Sequence, residues 1–387
     1  MITPSEIRIK GVSNVPTNRA AWLSQRKSVL TVGPAPYSAP QKGQILIKNN
    51  AVSINPLDWI VQIGGDLAYR WLRYPTVLGS DVAGEVVEVG SEVTTFKVGD
   101  RVVAHCVGSD KDVNTPKEGG FQSYTAVLED MAAQIPESMT YEEAVVLPLA
   151  LSTAACALYQ KDLLGLELPE LTSHKRSEVL LVWGGSTSVG VNAIQLAIAS
   201  GYQVVSTASP HNFDFVRSFG AKLVFDYSSP DVVEQLINAL KGKTIAGAIA
   251  IGETGARSCV KVLSECKGNK FVAVATPPIS FSYLAKNEKS QIQLLKFAAL
   301  LISKNIALGV LATASRVKFK YIFGTTLKNN GVGRYIYRQY LPRALEEKIH
   351  IPAPPPRVVG HGLEAIQEAL DIAKAGVSAE KIVVRLD

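Results

Sequence analysis

Short apolar segments separated by glycine and proline fill most of the first third of the chain. The segment 45–49 is largely apolar, 82–89 has the composition of a strand, and 97–103 contains a Gly-Asp turn between two apolar pieces. This punctuation predicts short strands in a closed or folded-over sheet. A first helix is predicted near residue 140, where Ser138 or Thr140 can cap it and two glutamates favour its first turn.

Beyond residue 178 the pattern changes to apolar strands that alternate with helical segments. The predicted strands are 178–183, 202–208, 222–225, 246–251 and 270–275. The predicted helices are 191–200, 213–219, 232–241 and 257–264, and Gly201 ends the first of them in C-cap fashion. Strands that are apolar throughout, each followed by a helix, indicate a parallel sheet covered on both faces. The sequence therefore predicts a doubly wound α/β domain.

After about residue 315 this alternation ends. The remaining elements are predicted as a helix over 335–347, a proline-rich connector over 352–356, a helix over 363–375 and a strand over 381–385. This tail is expected to return to the first domain, which makes the doubly wound unit an insertion. The predicted division is 1–152 for the β-rich domain, 153–315 for the doubly wound domain and 316–387 for the returning segment.

Composition fits a globular protein with two domains. The 387 residues are 47% hydrophobic and 19% charged, which argues against disorder over most of the chain. The four cysteines are scattered and form no CxxC pair. Their spacing argues against a disulfide framework and against a structural zinc knot.

The charge and the apolar runs limit the classes of partner. The formal charge of +6 is spread along the chain, and its densest cluster, 316–320, alternates basic with apolar residues. Such a cluster is better explained as a solvated face than as a nucleic-acid surface. The apolar run 298–302 is far shorter than the about 20 residues that span a bilayer, and the first 26 residues lack a signal-peptide pattern. We expect a soluble, cytoplasmic protein that binds neither nucleic acid nor a membrane.

A glycine-rich turn follows the strand 178–183 and precedes a helix. It runs from Gly185 to Gly190 and has Thr187 where the dinucleotide fingerprint has its second glycine. Gly184 and Gly185 keep the turn flexible, and hydroxyl groups lie beside the helix N-terminus, where phosphate binds readily. With three further strand-helix units after it, the turn predicts nucleotide binding. The alternative is an ordinary turn in a fold whose ligand lies elsewhere.

The end of the second strand bears on which nucleotide binds. Enzymes that use NAD place an acidic residue about 20 residues beyond the first glycine, where it accepts from the ribose hydroxyls. The segment 205–212 contains no acid. Ser209, His211 and Asn212 can donate to a 2′-phosphate, and Tyr227 can close over the adenosine. These residues predict NADP(H) as the cofactor, with a plain surface-turn role as the alternative for His211.

Several stretches together carry a family resemblance: 54–59, 77–90, 96–102, 118–122, 147–153, 183–190, 209–212 and 225–227. Through them, nearly the whole chain resembles the medium-chain dehydrogenase/reductase superfamily. Within it, the chain is similar to the fungal zinc-binding oxidoreductase-like proteins and the trans-acting enoyl reductases. The resemblance implies a Rossmann sheet inserted into a GroES-like β-barrel substrate domain. It also implies hydride transfer from NADPH in the cleft between the domains.

Two loops differ from those of the zinc-dependent members of this superfamily. Those members have a cysteine near the start of the first loop and Gly-His-Glu in the second. This chain has Asn55-Pro-Leu-Asp58 and Gly79-Ser-Asp81, and it lacks the four clustered cysteines of a structural zinc lobe. A tetrahedral catalytic zinc needs thiolate and imidazole ligands that these side chains do not supply. We therefore expect no bound metal.

The loss of a Lewis acid changes which reaction is favoured. Reduction of an isolated ketone becomes harder, because nothing fixed neutralises the developing alkoxide. Reduction of a conjugated C=C bond is easier, since hydride attacks the β-carbon and hydrogen-bond donors can hold the resulting enolate. The sequence therefore predicts an enoyl or enone reductase. Ile60 stands where many relatives have lysine, so the source of the proton stays open.

The resemblance also assigns individual residues. Thr153, through a hydroxyl at the nicotinamide end, and Asp58, as a catalytic or a structural group, are the candidate catalytic residues. Candidate cofactor contacts are Asn55, Pro56, Gly185, Ser186, Thr187, Ser188, Val189, Gly190, Ser209, His211, Asn212, Tyr227, Val274, Ala275, Val359, Gly360 and Lys381. Candidate pocket walls, each equally explicable as core or surface, are Trp22, Trp59, Tyr69, Trp71, His105 and Phe281.

Three functions remain open on the sequence alone. The first is reduction of an activated C=C bond in a small lipophilic or polyketide-like substrate. The second is carbonyl reduction or alcohol oxidation without zinc, and the third is a redox-neutral biosynthetic reaction, such as a cyclisation, in the same cleft. A carrier protein or synthase is a further partner that the resemblance allows. The oligomeric state is not fixed by these observations.

Overall fold

The computed structural model describes residues 16–172, 174–281 and 291–386. Its first domain combines a small antiparallel sheet with a larger mixed sheet. The small sheet contains β1 (Asn18–Leu23), β2 (Thr31–Ala35) and β4 (Thr76–Val77). The larger sheet contains β3 (Gln44–Ser53), β5 (Asp81–Val89), β6 (Arg101–His105), β7 (Tyr124–Leu128), β8 (Ala132–Gln134), β16 (Pro356–His361) and β17 (Lys381–Arg385). The predicted β-rich first domain is confirmed.

The larger sheet has the strand order β16-β17-β3-β5-β6-β8, and β7 pairs with β3 as well. The long strand β3 therefore has partners that change along its length, which folds the sheet over on itself. In the predicted segment 97–103 only the second apolar piece forms a strand. The first piece is part of a turn in which the Lys97 N–H donates to the Asp100 carboxylate at 2.9 Å.

The tail returns to this sheet, as the sequence predicts. Strand β17 runs antiparallel to β3, with Val383 opposite Ser53, and the Ile54 N–H donates to the Ile382 carbonyl. The parallel sheet is thus an insertion between two segments of the first domain. The helices of the first segment are α1 (Pro56–Ala68), α2 (Tyr141–Ala144) and α3 (Pro148–Tyr159). Thr140 caps α2 by accepting from the Glu143 N–H.

The second domain is a doubly wound parallel sheet. Its strands are β9 (Val179–Trp183), β10 (Gln203–Ala208), β11 (Leu223–Asp226), β12 (Thr244–Ala250), β13 (Lys267–Gly268), β14 (Phe271–Val274) and β15 (Lys318–Tyr321). Its helices are α4 (Ser188–Ala199), α5 (Phe213–Ser218), α6 (Val232–Leu240), α7 (Gly255–Glu265) and α8 (Gln291–Ala314). The strand order is β11-β10-β9-β12-β14-β15, and the central strand β9 is buried at every position. The predicted Rossmann fold is confirmed.

The predicted boundary at residue 315 does not match the sheet. Strand β15 lies in the segment 316–387 that the sequence assigns to the first domain, but it pairs in parallel with β14, placing Phe271 opposite Lys318. The alternating Lys318-Phe-Lys-Tyr321 sequence is explained by its position at the sheet edge, where alternate side chains face solvent. The parallel sheet therefore extends to Tyr321.

Further helical segments lie between β15 and the C-terminal strand. The predicted helix 335–347 is a composite of α9 (Gly331–Arg334), a π-helical turn (Tyr335–Tyr340) and α10 (Leu341–Glu346). The last helix is α11 (Ile366–Ala375). One apolar core is continuous from the first domain to one face of the parallel sheet, and a second core lies between its other face and α6, α7 and α8.

In the part of the chain that the structure describes, two helical stretches are long and apolar enough, by length and composition, to cross a membrane. Tyr141–Tyr159 is 78% buried inside the protein, as expected of a core helix. Ile292–Ala314 is only 11% buried. The predicted apolar run 298–302 thus belongs to a much longer apolar helix, most of which lies on the surface.

Candidate functional site

The turn between β9 and α4 lies at the carboxyl edge of the parallel sheet. Thr207 on the neighbouring strand fixes it, because its hydroxyl accepts from the Gly184 N–H at 3.0 Å and its carbonyl accepts from the Gly185 N–H at 2.8 Å. At Gly190 a Cβ would lie 2.3 Å from the Gly184 carbonyl oxygen. The chain therefore closes into a tight loop that tolerates only glycine at residue 190.

Thr187, which replaces the second fingerprint glycine, caps α4. Its hydroxyl oxygen accepts from the Gly190 N–H at 3.0 Å, and its O–H donates to the Gly184 carbonyl at 2.8 Å. The N–H groups of Ser188 and Val189 lie in the first turn of the helix, where no intrahelical acceptor is available. Together with the half-exposed Ser186, they form a positive helix end that fits a pyrophosphate group.

The four residues predicted at the adenosine end separate into two pairs. The Ser209 hydroxyl donates to the Tyr227 hydroxyl at 3.2 Å, which links the ends of β10 and β11. His211 and Asn212 instead contact the hydroxyl of Ser378, at 3.4 and 3.2 Å. The first pair is partly exposed and its hydroxyls can reach a phosphate. The second pair holds the turn against the returning tail.

Sequence reasoning missed Ser378. This serine begins the Ser-x-Glu-Lys sequence 378–381, which ends at the candidate cofactor contact Lys381. The hydroxyl lies 166 residues along the chain from Asn212, so no local pattern relates the two. The sequence 378–381 could have indicated this contact. Ser378 contacts the turn at 211–212, and Lys381 contacts Asp81 in the first domain.

A buried polar cluster surrounds Asp81, which is completely inaccessible to solvent. The Lys381 ammonium is 3.2 Å from one of its carboxylate oxygens, and the Ser53 hydroxyl and Asn55 amide donate to the same oxygen at 2.7 Å. The other oxygen accepts from the Leu149 N–H at 2.7 Å, in the first turn of α3. An anion at this helix end is favourable. The cluster thus joins the first loop, the second loop, the tail and the interdomain helix.

The structure brings the predicted cofactor contacts Asn55 and Lys381 together but orients both toward Asp81. The Asn55 side chain uses its amide to donate to Asp81 and its carbonyl oxygen to accept from Lys381. Lys381 is only 4% exposed. Lys381 neutralises the buried carboxylate, and Asn55 holds both groups in place. A direct contact of either with the cofactor stays a prediction.

Pro56 and Asp58 form the start of α1. Pro56 is its first residue, and Asp58 accepts from the Asn55 N–H at 2.8 Å in the manner of a capping box. Burial raises the pKa of the Asp58 carboxyl to about 7, and the Asn55 N–H partly offsets this by favouring the charged form. This geometry matches the structural role considered for Asp58. A catalytic role for Asp58 stays a prediction.

Thr153 lies half-buried on α3, where its hydroxyl donates to the Leu149 carbonyl at 2.7 Å. A Cβ on Gly324 would lie 3.0 Å from this hydroxyl oxygen, so the segment after β15 passes directly over it. Its neighbour Ser152 is fully buried and connects His105 to Tyr337. The Ser152 hydroxyl lies 2.8 Å from His105 Nδ1 and 2.7 Å from the Tyr337 hydroxyl.

His105, Ser152 and Tyr337 form a hydrogen-bonded relay, and their partners determine which atom donates in each bond. Tyr337 donates to the Pro148 carbonyl at 2.9 Å, so its oxygen must accept from Ser152. Ser152 then accepts from His105, which places the proton of the neutral ring on Nδ1. Burial lowers the pKa of His105 to about 4, consistent with a neutral ring. Among the described residues, its bare Nε2 has no partner. Sequence analysis named His105 only as a pocket wall.

Val274 ends strand β14 at the carboxyl edge, and Ala275 follows it. Val274 is fully buried, and the Ala275 N–H donates to the Ala250 carbonyl on β12. One residue further, the Thr276 hydroxyl accepts from the Gly252 N–H at 2.7 Å. The predicted nicotinamide-side segment is therefore tied to the end of the neighbouring strand, where the crevice of a doubly wound fold opens.

Val359 and Gly360 lie on the sheet-edge strand β16. The register against β17 shifts between Val358 and Gly360, so Val359 sits at an irregularity of the edge. A Cβ on Gly360 would lie 2.5 Å from the Ala365 Cβ, which fixes the close approach of the following turn. The observed role of both residues is to shape this edge.

The predicted pocket walls divide between core and surface. Trp59 is 7% exposed, and its indole N–H has no partner among the described residues. The rings of Tyr69 and Trp71 pack 5.0 Å apart, and those of Phe281 and Phe297 5.1 Å apart. Trp22 donates to the Pro34 carbonyl within the small sheet. Over residues 16–172, 174–281 and 291–386, no group of three or more His, Cys, Asp or Glu side chains is arranged to hold a metal ion.

A comparison with known families and proteins places this site in context. Residues 41–137 match the alcohol dehydrogenase GroES-like domain. The dehydrogenase pigH of Monascus ruber is 47% identical over 96% of this chain and all of its own length. The trans-enoyl reductase himH of Aspergillus japonicus is 38% identical over 95% of this chain and 97% of its own length.

A solved structure shows the same architecture. An alcohol dehydrogenase superfamily protein from Novosphingobium aromaticivorans superposes with a TM-score of 0.71 at 23% identity, covering 96% of this chain and 100% of its own. A GroES-like domain that carries an inserted Rossmann sheet defines an oxidoreductase of the medium-chain type. The chain belongs to the medium-chain dehydrogenase/reductase superfamily, within its fungal enoyl reductase group.

Proposed function

We propose that this protein uses NADPH to reduce an activated C=C bond of a small lipophilic substrate, without a metal ion. The observation that carries this proposal is the cluster around Asp81. Where zinc-dependent relatives supply thiolate and imidazole, this chain has the Asn55 amide and the Ser80 hydroxyl. A resident ammonium, Lys381, already pairs with the adjacent carboxylate. These groups do not fit a tetrahedral zinc ion, and the name of the relative himH supports conjugate reduction.

The residues of the second domain fit NADP(H). The capped N-terminus of α4 would hold the pyrophosphate, and the hydroxyls of Ser209 and Tyr227 would face the 2′-phosphate. The end of β10 offers no carboxylate to repel this phosphate. When bound, NADPH supplies the hydride. Thr153 and the segment at Ala275 would position its nicotinamide end in the cleft.

The chain's own residues would stabilise charge on the substrate. Conjugate reduction places negative charge on the substrate oxygen, and a hydroxyl such as that of Thr153 can donate to an oxygen there. Ile60 is half-buried on α1 where many relatives have lysine, and an apolar side chain there favours a lipophilic substrate over a charged one. We further propose that the protein acts in the cytoplasm. A carrier protein or synthase that presents the substrate belongs to the same proposal.

The test is hydride transfer from stereospecifically deuterated NADPH to an enone, an aldehyde and a quinone, with and without a chelator. We expect deuterium at the β-carbon of the enone, unchanged activity in chelator, and less than stoichiometric zinc by metal analysis. Transfer to the aldehyde alone would favour the carbonyl reductase. If NADPH binds tightly but no deuterium is transferred to any of the three, the redox-neutral alternative takes its place. Stoichiometric bound zinc, together with loss of activity when a chelator removes it, would contradict the metal-free mechanism.

Cofactor choice gives a second prediction. Ser209→Asp should weaken NADPH binding by at least about 10-fold, or about 1.4 kcal/mol, because it places a carboxylate beside the 2′-phosphate. Binding of NADH should change less or improve. Titration of both cofactors by fluorescence measures the ratio, with Ser218→Asp on the exposed end of α5 as the control. Equal losses for both cofactors would show that residue 209 does not select NADP(H).

A further inference from the structure

The loop 376–380 of the first domain touches the turn at which the adenosine end of the cofactor is predicted to bind. This loop joins α11 to β17, and its Ser378 side chain is exposed. The Asn212 amide of the second domain donates to the Ser378 hydroxyl oxygen at 3.2 Å, and His211 Nε2 lies 3.4 Å from the same oxygen. Polar groups from both domains therefore meet beside this turn.

Two hydroxyl groups at this place keep a hydrogen that they can donate to a ligand. The Ser378 oxygen accepts from the Asn212 amide, and its only hydrogen-bond acceptor among the described residues would be the exposed His211, at a long distance. The Tyr227 oxygen accepts from Ser209, so its own O–H is not used in that bond. Ser209 and Asn212 belong to one tight turn, closed by the Asn212 N–H on the Ser209 carbonyl at 2.9 Å. The two donors thus flank a single turn.

The carboxylates next to these segments are engaged by other groups. Asp226, at the end of β11, accepts from the N–H and the hydroxyl of Ser228 at 2.9 and 2.7 Å. Glu380 lies 3.5 Å from the Arg357 guanidinium. Neither the turn 209–212 nor the part of the loop before Glu380 contains an acidic residue. An anion between the turn and the loop would therefore meet hydroxyl, amide and imidazole groups.

The backbone of the loop fixes the position of Ser378. Gly376 and Ala379 flank it with φ angles of +97° and +52°. The second value is uncommon for a residue with a Cβ, and such conformations cluster at ligand sites. At the end of the loop, the Lys381 ammonium lies 3.2 Å from the buried Asp81 carboxylate. A ligand that binds Ser378 is therefore connected, within three residues, to the core of the first domain.

We propose that the Ser378 hydroxyl donates to the 2′-phosphate of NADP(H), so that both domains form the phosphate site. This role rests on the proposed use of NADP(H) and adds a specificity-determining residue from outside the Rossmann sheet. The phosphate lies between Ser378 and the Ser209–Tyr227 pair, and the exposed His211 ring supplies a further donor. Hydrogen bonds to a charged oxygen are stronger than those between neutral groups. NADH has no phosphate there and makes no such contact with the first domain.

Paired titrations of NADPH and NADH test the residue. Ser378→Ala should weaken NADPH binding by about 10-fold, the loss expected for one hydrogen bond to a charged group, and should change NADH binding by less than about 2-fold. Ser378→Asp should weaken NADPH binding further, because it places a carboxylate beside the phosphate. Ser91→Ala and Ser91→Asp, at an exposed serine in the turn after β5, should leave both affinities unchanged.

The results distinguish a failure of this role from a failure of the proposed function. If the unmodified protein prefers NADPH and Ser378→Ala keeps that preference, Ser378 does not contact the phosphate, while the proposed cofactor stands. Equal losses for both cofactors would mean that Ser378 only supports the turn, which also overturns the proposal. If the unmodified protein does not distinguish NADPH from NADH, the proposed use of NADP(H) itself fails, and the role of Ser378 fails with it.

Hydrogen exchange of the unmodified, full-length protein requires neither a substitution nor a substrate. Adenosine 2′,5′-bisphosphate and 5′-AMP differ only in the 2′-phosphate. At saturating concentration, the bisphosphate should slow amide exchange in peptides that cover 209–212 and 376–380, whereas 5′-AMP should leave 376–380 unchanged. If the bisphosphate slows exchange at 209–212 alone, the phosphate contacts only the second domain and the proposal is wrong.

Discussion

Replacing Lys381 by methionine should lower the free energy of unfolding by about 3–5 kcal/mol, the largest effect expected for a single substitution in this cluster. The ammonium is 4% exposed and lies 3.2 Å from the fully buried Asp81 carboxylate. Methionine keeps most of the volume but removes the positive charge. Three hydrogen bonds to Asp81 remain, yet they do not supply the charge that offsets its desolvation.

Two further variants distinguish a buried charge effect from a packing effect. Adding Asp81→Asn to Lys381→Met should recover more than half of the lost stability, because no unpaired charge remains. Lys320→Met removes a surface pair with Asp162, whose side chains are 52% and 63% exposed, and should cost less than about 1 kcal/mol. Denaturant unfolding of the four proteins at pH 7 measures the differences. If Lys381→Met costs no more than Lys320→Met, the cluster does not need its ammonium.

The second domain could be predicted in detail because its signals are local. Strands β9 and β14 are apolar along their length, and β9, β10, β11 and β12 are each followed by a helical segment. The turn 184–190 likewise lies within one strand-helix unit. The error at residue 315 has a physical cause. Strand β15 lies at the sheet edge and alternates lysine with aromatic residues, so its sequence resembles a solvated face rather than a buried parallel strand.

The polar networks could not be predicted because they join distant parts of the chain. Lys381 contacts Asn55 across 326 residues, and Tyr337 contacts Ser152 across 185. A motif can indicate that a lysine matters, but it does not say which carboxylate it pairs with. Sequence analysis therefore identified the residues near the cleft and left their partners unassigned. That His105 Nε2 is unprotonated follows only from the hydrogen bonds that join His105, Ser152 and Tyr337.

The apolar face of α8 was hidden from sequence reasoning for another reason. Composition shows that 298–302 is apolar, but it does not show how much of a helix the rest of the fold covers. In the parallel sheet, α7 and α8 share one face, and only one side of α8 reaches it. Burial is a property of the assembled domain, so the exposed apolar side of α8 appears only in the structure.

Acid destabilisation should depend on His350, which contacts Asn192 on α4. His350 is buried, and burial lowers its pKa from 6.5 to about 4. As the pH falls from 6.5 toward 4, the unfolded chain gains a proton on this ring and the native chain does not, so stability falls in that window. The total loss is about 3 kcal/mol, and His105 behaves in the same way. Asp58 acts in the opposite sense, because its raised pKa of about 7 lets the native state hold a proton that the unfolded state has lost.

The substitution His350→Gln separates these contributions. Glutamine can still donate to the Asn192 side-chain oxygen that now accepts from His350 Nε2 at 2.9 Å, but it does not titrate. Of these three groups, His105 and Asp58 then remain, and their opposite contributions to the pH dependence of the unfolding free energy largely cancel. We expect the dependence of unfolding free energy on pH between 6 and 4.5 to decrease by about 1.4 kcal/mol per pH unit. Urea unfolding at several pH values measures it, with His211→Gln at an exposed turn as the control. An unchanged slope would mean that His350 does not contribute to acid destabilisation in this window.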